Sequence, residues 1–364
     1  MPTTMRSLTT SIDRLATLLN RQGAAQFSLE QRRRQLLAGM ALSLLLVCGA
    51  AFSLLGYMHH QVELRVVGNS QNLAKTVQMS IEQLVDTVSI SMQSAADEMV
   101  REAAEGKIQP DYLSFQLLRL SERLPGISLQ ATDGDGQIRY NLDNRPLSMR
   151  YASVADRGFF QALRRDLTAT LYIGPPVFSP LSNSWVWEFA QAARSREGHF
   201  LGLVYARMDT AVIRAMFSKL QLEPRATISL RDSQLLMIAG RMGGRADFPI
   251  APGNKKISAQ MQDALDANPA EGSYVSAATQ LDDFSRNFSY VRSLKYGFWV
   301  NAGLTGEASF SEWRKQAWTI ASLITLFTLA AYVFVHIIVR SWRDQEAALQ
   351  DMRQLREMAE KTKE

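Results

Sequence analysis

Four histidines and one cysteine are the only imidazole and thiol groups in this 364-residue sequence. His59 and His60 stand at the edge of an apolar run, His336 lies inside another, and His199 falls in a strand or turn. None has a Ser, Cys or metal-ligand spacing beside it, so no catalytic constellation can be assembled. Cys48 sits within the first apolar run, and a lone cysteine excludes an intrachain disulfide and a Cys-based metal site. Asp133-Gly134-Asp135-Gly136 hints at a calcium loop. Counted from Asp135, however, the fifth position is Arg139 and no Glu closes the loop, so a plain turn is expected. Gly240, Gly243 and Gly244 with Arg241 and Arg245 lack the spacing and Lys-Ser/Thr of a phosphate cradle and read as a surface loop. What chemistry there is concentrates in Ser148 to Asp209, where aromatic and charged residues crowd between short β-like runs. Such a stretch can build a pocket. Binding rather than catalysis is the expectation, with no catalytic residue, metal or cofactor in the residues shown.

Two uncharged segments, Leu36 to Met58 and Ala317 to Val339, flank that stretch at a distance, each 23 residues long. A helix rises about 1.5 Å per residue, so each can cross a hydrocarbon layer of about 30 Å. Thirty-five residues precede the first, too many for a cleaved signal peptide. Residues 1–35 hold six arginines against Asp13 and Glu30, with Arg32, Arg33 and Arg34 abutting the first segment. Arg340 and Arg343 follow the second. By the preference of basic loops for the inner side, both termini are cytoplasmic and residues 59–316 lie outside, in a periplasm. The net charge is +5, of which residues 1–35 carry +4, while residues 340–364 balance six basic groups with six acidic ones. Nearly all the excess therefore lies beside the membrane, where anionic lipid headgroups are its partner. No basic face is left for a nucleic acid.

The elements that must position the central stretch follow from periodicity. Leu73, Val77, Ile81, Leu84, Val88, Met92, Ala95 and Met99 recur at helical spacing with no Gly or Pro between Gly68 and Gly106, which predicts a long amphipathic spine helix. Such a helix can pair with a second copy, so a homodimer is expected. Ile12, Leu15, Leu18 and Leu19 suit a short helix on the inner leaflet, and a disordered tail is the open alternative. Strands are expected at 127–132 and 137–140 around an Asp-Gly turn, at 185–193 and 199–207, and a helix at 211–220. A second set begins at Ala226: strands at 226–232 and 235–242, a helix at 257–267, then strands within Ser289–Leu294 and Phe298–Leu304. The result is an α+β fold, a long N-terminal helix carrying two tandem modules between two transmembrane helices. From Gly306 the chain runs without break into the second apolar segment and a charged tail, where Ala348, Met352, Leu355 and Ala359 form a weak coiled-coil seam.

This organisation resembles the double Cache family of PAS-like extracytoplasmic sensors over about residues 60–312. The likeness rests on Arg157-Gly158-Phe159-Phe160, where many members carry Arg-Pro-Trp-Tyr. It rests also on Tyr172-Ile173-Gly174-Pro175-Pro176 and on Gly198-His199-Phe200-Leu201-Gly202-Leu203-Val204. The resemblance implies a membrane-distal module at about 60–210 and a membrane-proximal one at 211–312, with a cytoplasmic signalling helix at 340–364. It implies that Arg157, Phe159 and Phe160 face a ligand. In amino-acid-binding members the arginine holds the carboxylate and acidic residues hold the ammonium. Here Ala162 and Arg207 stand where acids are expected, which argues against an amino acid.

Two guanidiniums near one pocket favour an anion between them. Arg157 and Arg207 are therefore expected to bind a small anionic molecule such as an organic acid, with Tyr151, Phe160, Tyr172, Trp185 and Trp187 as walls. Pairing of either arginine with Asp156 or Asp209 is the plainer alternative. The expected protein is an inner-membrane receptor of a bacterium that senses a periplasmic ligand and passes a helix displacement to a cytoplasmic output. The expected chain is the sensor part of a longer protein, with a histidine kinase output ahead of a diguanylate cyclase. Sensing through a periplasmic protein partner is a further alternative.

Overall fold

A computed structural model of the protein describes residues 29–106, 109–140, 153–180, 182–276, 282 and 284–361. Two compact units emerge, one of residues 61–310 and one of residues 1–60 with 311–364. The expected amphipathic segment at residues 12–19 and the candidate wall Tyr151 lie outside the described residues.

The spine is helix α1, Leu29–Ala104. No proline interrupts it, and it ends where Gly106 turns to φ +96 and donates its amide to the Ala103 carbonyl at 3.1 Å. Glycine is the residue that tolerates that C-terminal conformation. Within residues 61–310 its buried stripe is Ala74, Val77, Ile81, Val85, Val88, Met92, Ala95, Ala96 and Met99. Leu73 and Leu84, expected in the stripe, lie half-buried at its edge. The short helix α2, Pro110–Glu122, follows and buries Leu113 and Leu117 in the same core.

Two five-stranded antiparallel sheets come next. The first contains β1 Ile127–Thr132, β2 Ile138–Tyr140, β3 Leu171–Ser179, β4 Ser184–Arg194 and β5 Phe200–Asp209, in the order β2-β1-β5-β4-β3. The second contains β6 Thr227–Arg231, β7 Met237–Met242, β8 Glu271–Ser276, β9 Arg286–Arg292 and β10 Trp299–Leu304, in the order β7-β6-β10-β9-β8. The same ordering in both shows the repeat: in each, the first strand of an opening hairpin pairs with the last strand of the module. One face of each sheet shares the core of α1, with Leu129, Phe189, Val204 and Met208 from the first and Ile228, Leu230, Val300 and Ala302 from the second. The other faces carry α3, Gly158–Arg165, and α5, Ala259–Ala267. Helix α4, Thr210–Ser218, links the modules and is capped by Asp209, which accepts the Ala211 amide at 2.7 Å.

Strands β3 and β8 and helices α2 and α3 had no forecast in the sequence. Pro175 and Pro176 hide β3, because proline donates no ladder hydrogen bond. The structure accommodates both at a register shift between Ile173 and Pro176, on an edge strand. The Asp-Gly turn is closed by Asp133, whose Oδ1 accepts the amides of Asp135 and Gln137 and whose Oδ2 accepts from Arg139 Nε at 2.9 Å.

Two helices are long and apolar enough to cross a membrane, with candidate spans Arg34–Ala104 and Ser309–Gln345, and the other unit holds the first up to His60 and the second from Ser311. The second belongs to α6, Glu307–Lys361. Side chains such as Leu45, Phe52, Leu326 and Phe334 are exposed there, the environment a lipid layer would fill. The Trp313 indole donates to the Leu55 carbonyl at 3.2 Å and meets the His59 ring edge-on at 5.1 Å.

Candidate functional site

Side chains alternate across a strand, so register decides which residues of the first sheet share a face. Ser128 pairs with Arg207, Gln130 with Tyr205, Glu188 with Arg207, and Ala190 with both Tyr205 and Tyr172. All of these lie on the face that α3 covers, where Phe159, Phe160, Leu163, Ala190, Leu203 and Tyr205 form a separate apolar cluster.

Arg157 begins α3 as its N-cap, in extended backbone, with its side chain exposed. Phe159 stacks on Tyr205 at 5.6 Å between ring centres and lies 6.4 Å from the Tyr172 ring. Gly158 brings this helix start close to Tyr172: a Cβ there would lie 3.9 Å from the tyrosine hydroxyl. Tyr205 in turn hydrogen-bonds the Gln130 side chain in the interior. The structure thus brings Arg157, Phe159, Tyr172 and Arg207 to one face.

It does not bring the tryptophans there. Trp187 is fully buried on the opposite face, 4.7 Å from Phe189, with its indole N–H donating to the Gly174 carbonyl at 3.0 Å. Trp185 has the same strand parity and packs edge-on against Phe178 at 5.9 Å and over Gly253, where a Cβ would come within 2.6 Å of the ring. Their role is packing, and as walls of the arginine face they are corrected. Phe160 is on the expected side but is core, 1% exposed and edge-on to Phe200 at 5.6 Å.

The residue that sequence reasoning missed is Glu188. It is 8% exposed and makes neither a hydrogen bond nor an ion pair with any described residue. Burial holds its carboxyl above the ordinary range, and the guanidiniums of Arg157 and Arg207 pull it back only in part. Arg207 is likewise incomplete, its buried Nε having no partner. Neither Asp156 nor Asp209 pairs with either arginine. Asp209 is committed to its cap. Three charged groups therefore converge on one face without closing on each other, an arrangement that leaves donors and an acceptor for a bound molecule. The missed signal was the strand alternation itself: Glu188 is the sole charge within the otherwise apolar or neutral run 184–193.

No family model and no curated protein matches the sequence. Among solved structures, the extracellular domain of a candidate histidine kinase, rpHK1S-Z16, superposes with a TM-score of 0.57 at 21% identity. The match covers 67% of this chain and 96% of that one. The Cache-like sensor fold is the fold of this chain. Further matches to that fold are ligand-binding domains of bacterial chemoreceptors. One, from Campylobacter jejuni in complex with L-valine, has a TM-score of 0.50 at 11% identity, covering 69% of this chain and 97% of its own. Another, from the Pseudomonas fluorescens receptor CtaA in complex with L-isoleucine, has a TM-score of 0.51 at 11% identity, covering 70% and 98%. The α+β expectation and the tandem modules on a spine helix are those of this sensor fold. Residues 61–310, which fold as one unit, carry both of its sheets.

Proposed function

We propose that the chain is the input region of a transmembrane receptor whose outer part senses a small molecule carrying a carboxylate and an ammonium group, of the amino-acid class. The carrying observation is the convergence of the unpaired Glu188 with Arg157 and Arg207 on the α3 face. Guanidiniums suit a carboxylate bidentately, and Glu188 supplies the acidic partner that positions 162 and 207 lack. The amino acids bound by the chemoreceptor domains of the same fold support this reading. An organic dicarboxylate is the second reading, favoured by the excess of two guanidiniums over one carboxylate.

Residues 60–210 serve as the membrane-distal module and 211–312 as the membrane-proximal one, outside a bacterial inner membrane, with both termini cytoplasmic. The +4 charge of residues 1–35 supports that orientation. Helices α1 and α6 are each unbroken, which suits conduction of a displacement to an output domain of histidine kinase or diguanylate cyclase type. The receptor acts as a homodimer, and the exposed Met79 and Ile90 on α1 support a helix-to-helix contact.

Isothermal titration of the full chain in lipid nanodiscs, against amino acids and dicarboxylates, tests the ligand. Arg157→Ala should abolish binding of either class. Glu188→Gln should abolish amino-acid binding but leave or tighten dicarboxylate binding. Equal binding by all three proteins would overturn the site.

A further inference from the structure

The second module holds a cavity of its own, of about 350 Å³, over the sheet face opposite α1. Strand β6 presents Thr227, Ser229 and Arg231 to it by alternation, while Ile228 and Leu230 point into the spine core. Asn301 on β10 pairs with Ser229 and completes a polar floor. All four are more than nine-tenths buried: Thr227 is 3% exposed, Ser229 7%, Arg231 4% and Asn301 7%.

This floor is not satisfied from within. Thr227 Oγ1, Asn301 Oδ1 and Arg231 Nε have no hydrogen-bond partner among the described residues. A buried polar group left unpaired costs about 1–3 kcal/mol, so three around one cavity are not incidental packing. The other polar atoms of Arg231 and Asn301 are spoken for. Arg231 donates to the carbonyls of Leu235 at 2.6 Å, Asn254 at 3.3 Å and Lys256 at 3.0 Å, and Asn301 Nδ2 donates to the Tyr274 hydroxyl at 2.9 Å.

The charge balance sets the ligand class. Arg231 and Lys256 line the cavity, and among the described residues no acidic one does. The neighbouring Asp232 spends its Oδ1 on the amides of Gln234 and Leu236. Burial pushes the Arg231 guanidinium down to about 10, with Tyr274 and Asp232 opposing it only in part. The upper walls are apolar, with Met237, Phe248, Met261 and Phe288. Phe248 packs closely against Gly240, where a Cβ would come within 2.3 Å of its ring, so the wall depends on that glycine.

We infer that the second module binds a small carboxylate with an apolar body and a hydroxyl group, at a site separate from the Glu188 face. Its carboxylate meets Arg231 Nε and Lys256, its hydroxyl donates to Asn301 Oδ1 and accepts from Thr227, and its body lies against the methionine and phenylalanine walls. The volume is at the small end of ligand cavities, about 300–1,000 Å³, which limits the body to a few carbons.

The test uses the full chain in nanodiscs and four probes: lactate, 2-hydroxybutanoate, 2-hydroxy-3-methylbutanoate and 2-hydroxy-4-methylpentanoate. At least one should bind saturably by calorimetry, and Thr227→Val should weaken it about tenfold. That substitution keeps shape and removes an oxygen that has no partner, so the variant should melt no lower than the parent. Arg157→Ala, which should abolish binding at the Glu188 face, should leave this binding unchanged, and that separates failure here from failure at the other face. No binding by any of the four, or equal binding by Thr227→Val, would overturn the inference.

Discussion

Glu188 and Arg207 stand directly opposite each other on neighbouring strands, yet no ion pair closes between them. Each is held by its own strand on a face roofed by α3, and the carboxylate remains buried and unpaired. That relationship turns an arginine-rich face into one with both signs of charge, and it fixes what can be measured first.

Glu188→Gln should raise stability at neutral pH by about 1 kcal/mol, the low end of what an uncompensated buried group costs. The sign follows from linkage: a carboxyl whose folded pKa is raised favours the folded state below the unfolded value, and that contribution is lost as pH rises through the folded one. Thermal melts should therefore show the variant above the parent at pH 7 by about 2–4 °C and the two converging near pH 4. A variant that melts lower at pH 7 would mean that Arg207 needs the charge.

Asp86 on the spine answers the opposite sign. Lys295 and then Tyr296 hydrogen-bond its carboxylate and hold it below the ordinary range. Its contribution is present above the unfolded pKa and lost as pH falls through the folded one. Asp86→Asn should lower the melting temperature slightly at pH 7. The gap should narrow below pH 4 and in high salt, since the pair is exposed.

Gly202 and Gly198 offer a paired test of backbone against space. At Gly202, φ is +143 and a Cβ would sit 2.1 Å from the Thr132 carbonyl oxygen, a backbone atom of β1 that cannot step aside without moving the strand end paired with Ile138. At Gly198, φ is +87 but nothing lies within 4 Å. Gly198→Ala should cost about 1–2 kcal/mol from its left-handed backbone alone. Gly202→Ala should cost more and lower soluble yield, read by denaturant melts.

Ile81 is fully buried where α1 meets the sheets. Ile81→Ala should cost about 2–5 kcal/mol by leaving a cavity in that shared core. A loss under 1 kcal/mol would mean that the spine is only loosely docked.

The sequence by itself determined the two apolar runs, the spine and most of the strands, because each leaves a local period or length that survives without knowledge of neighbours. Val77, Ile81, Val88 and Met92 recur at helical spacing whatever they touch, and 23 uncharged residues are conspicuous in any context. Only the tertiary structure decided which face is which. Both faces of the first sheet are covered, one by α1 and one by α3, so Trp187 and Glu188 both read as interior and alternation cannot assign sides. The juxtaposition of Glu188 and Arg207, and the polar floor made by Thr227, Ser229 and Asn301, arise from register between strands. Register is set by the closing of the whole sheet, not by any one segment.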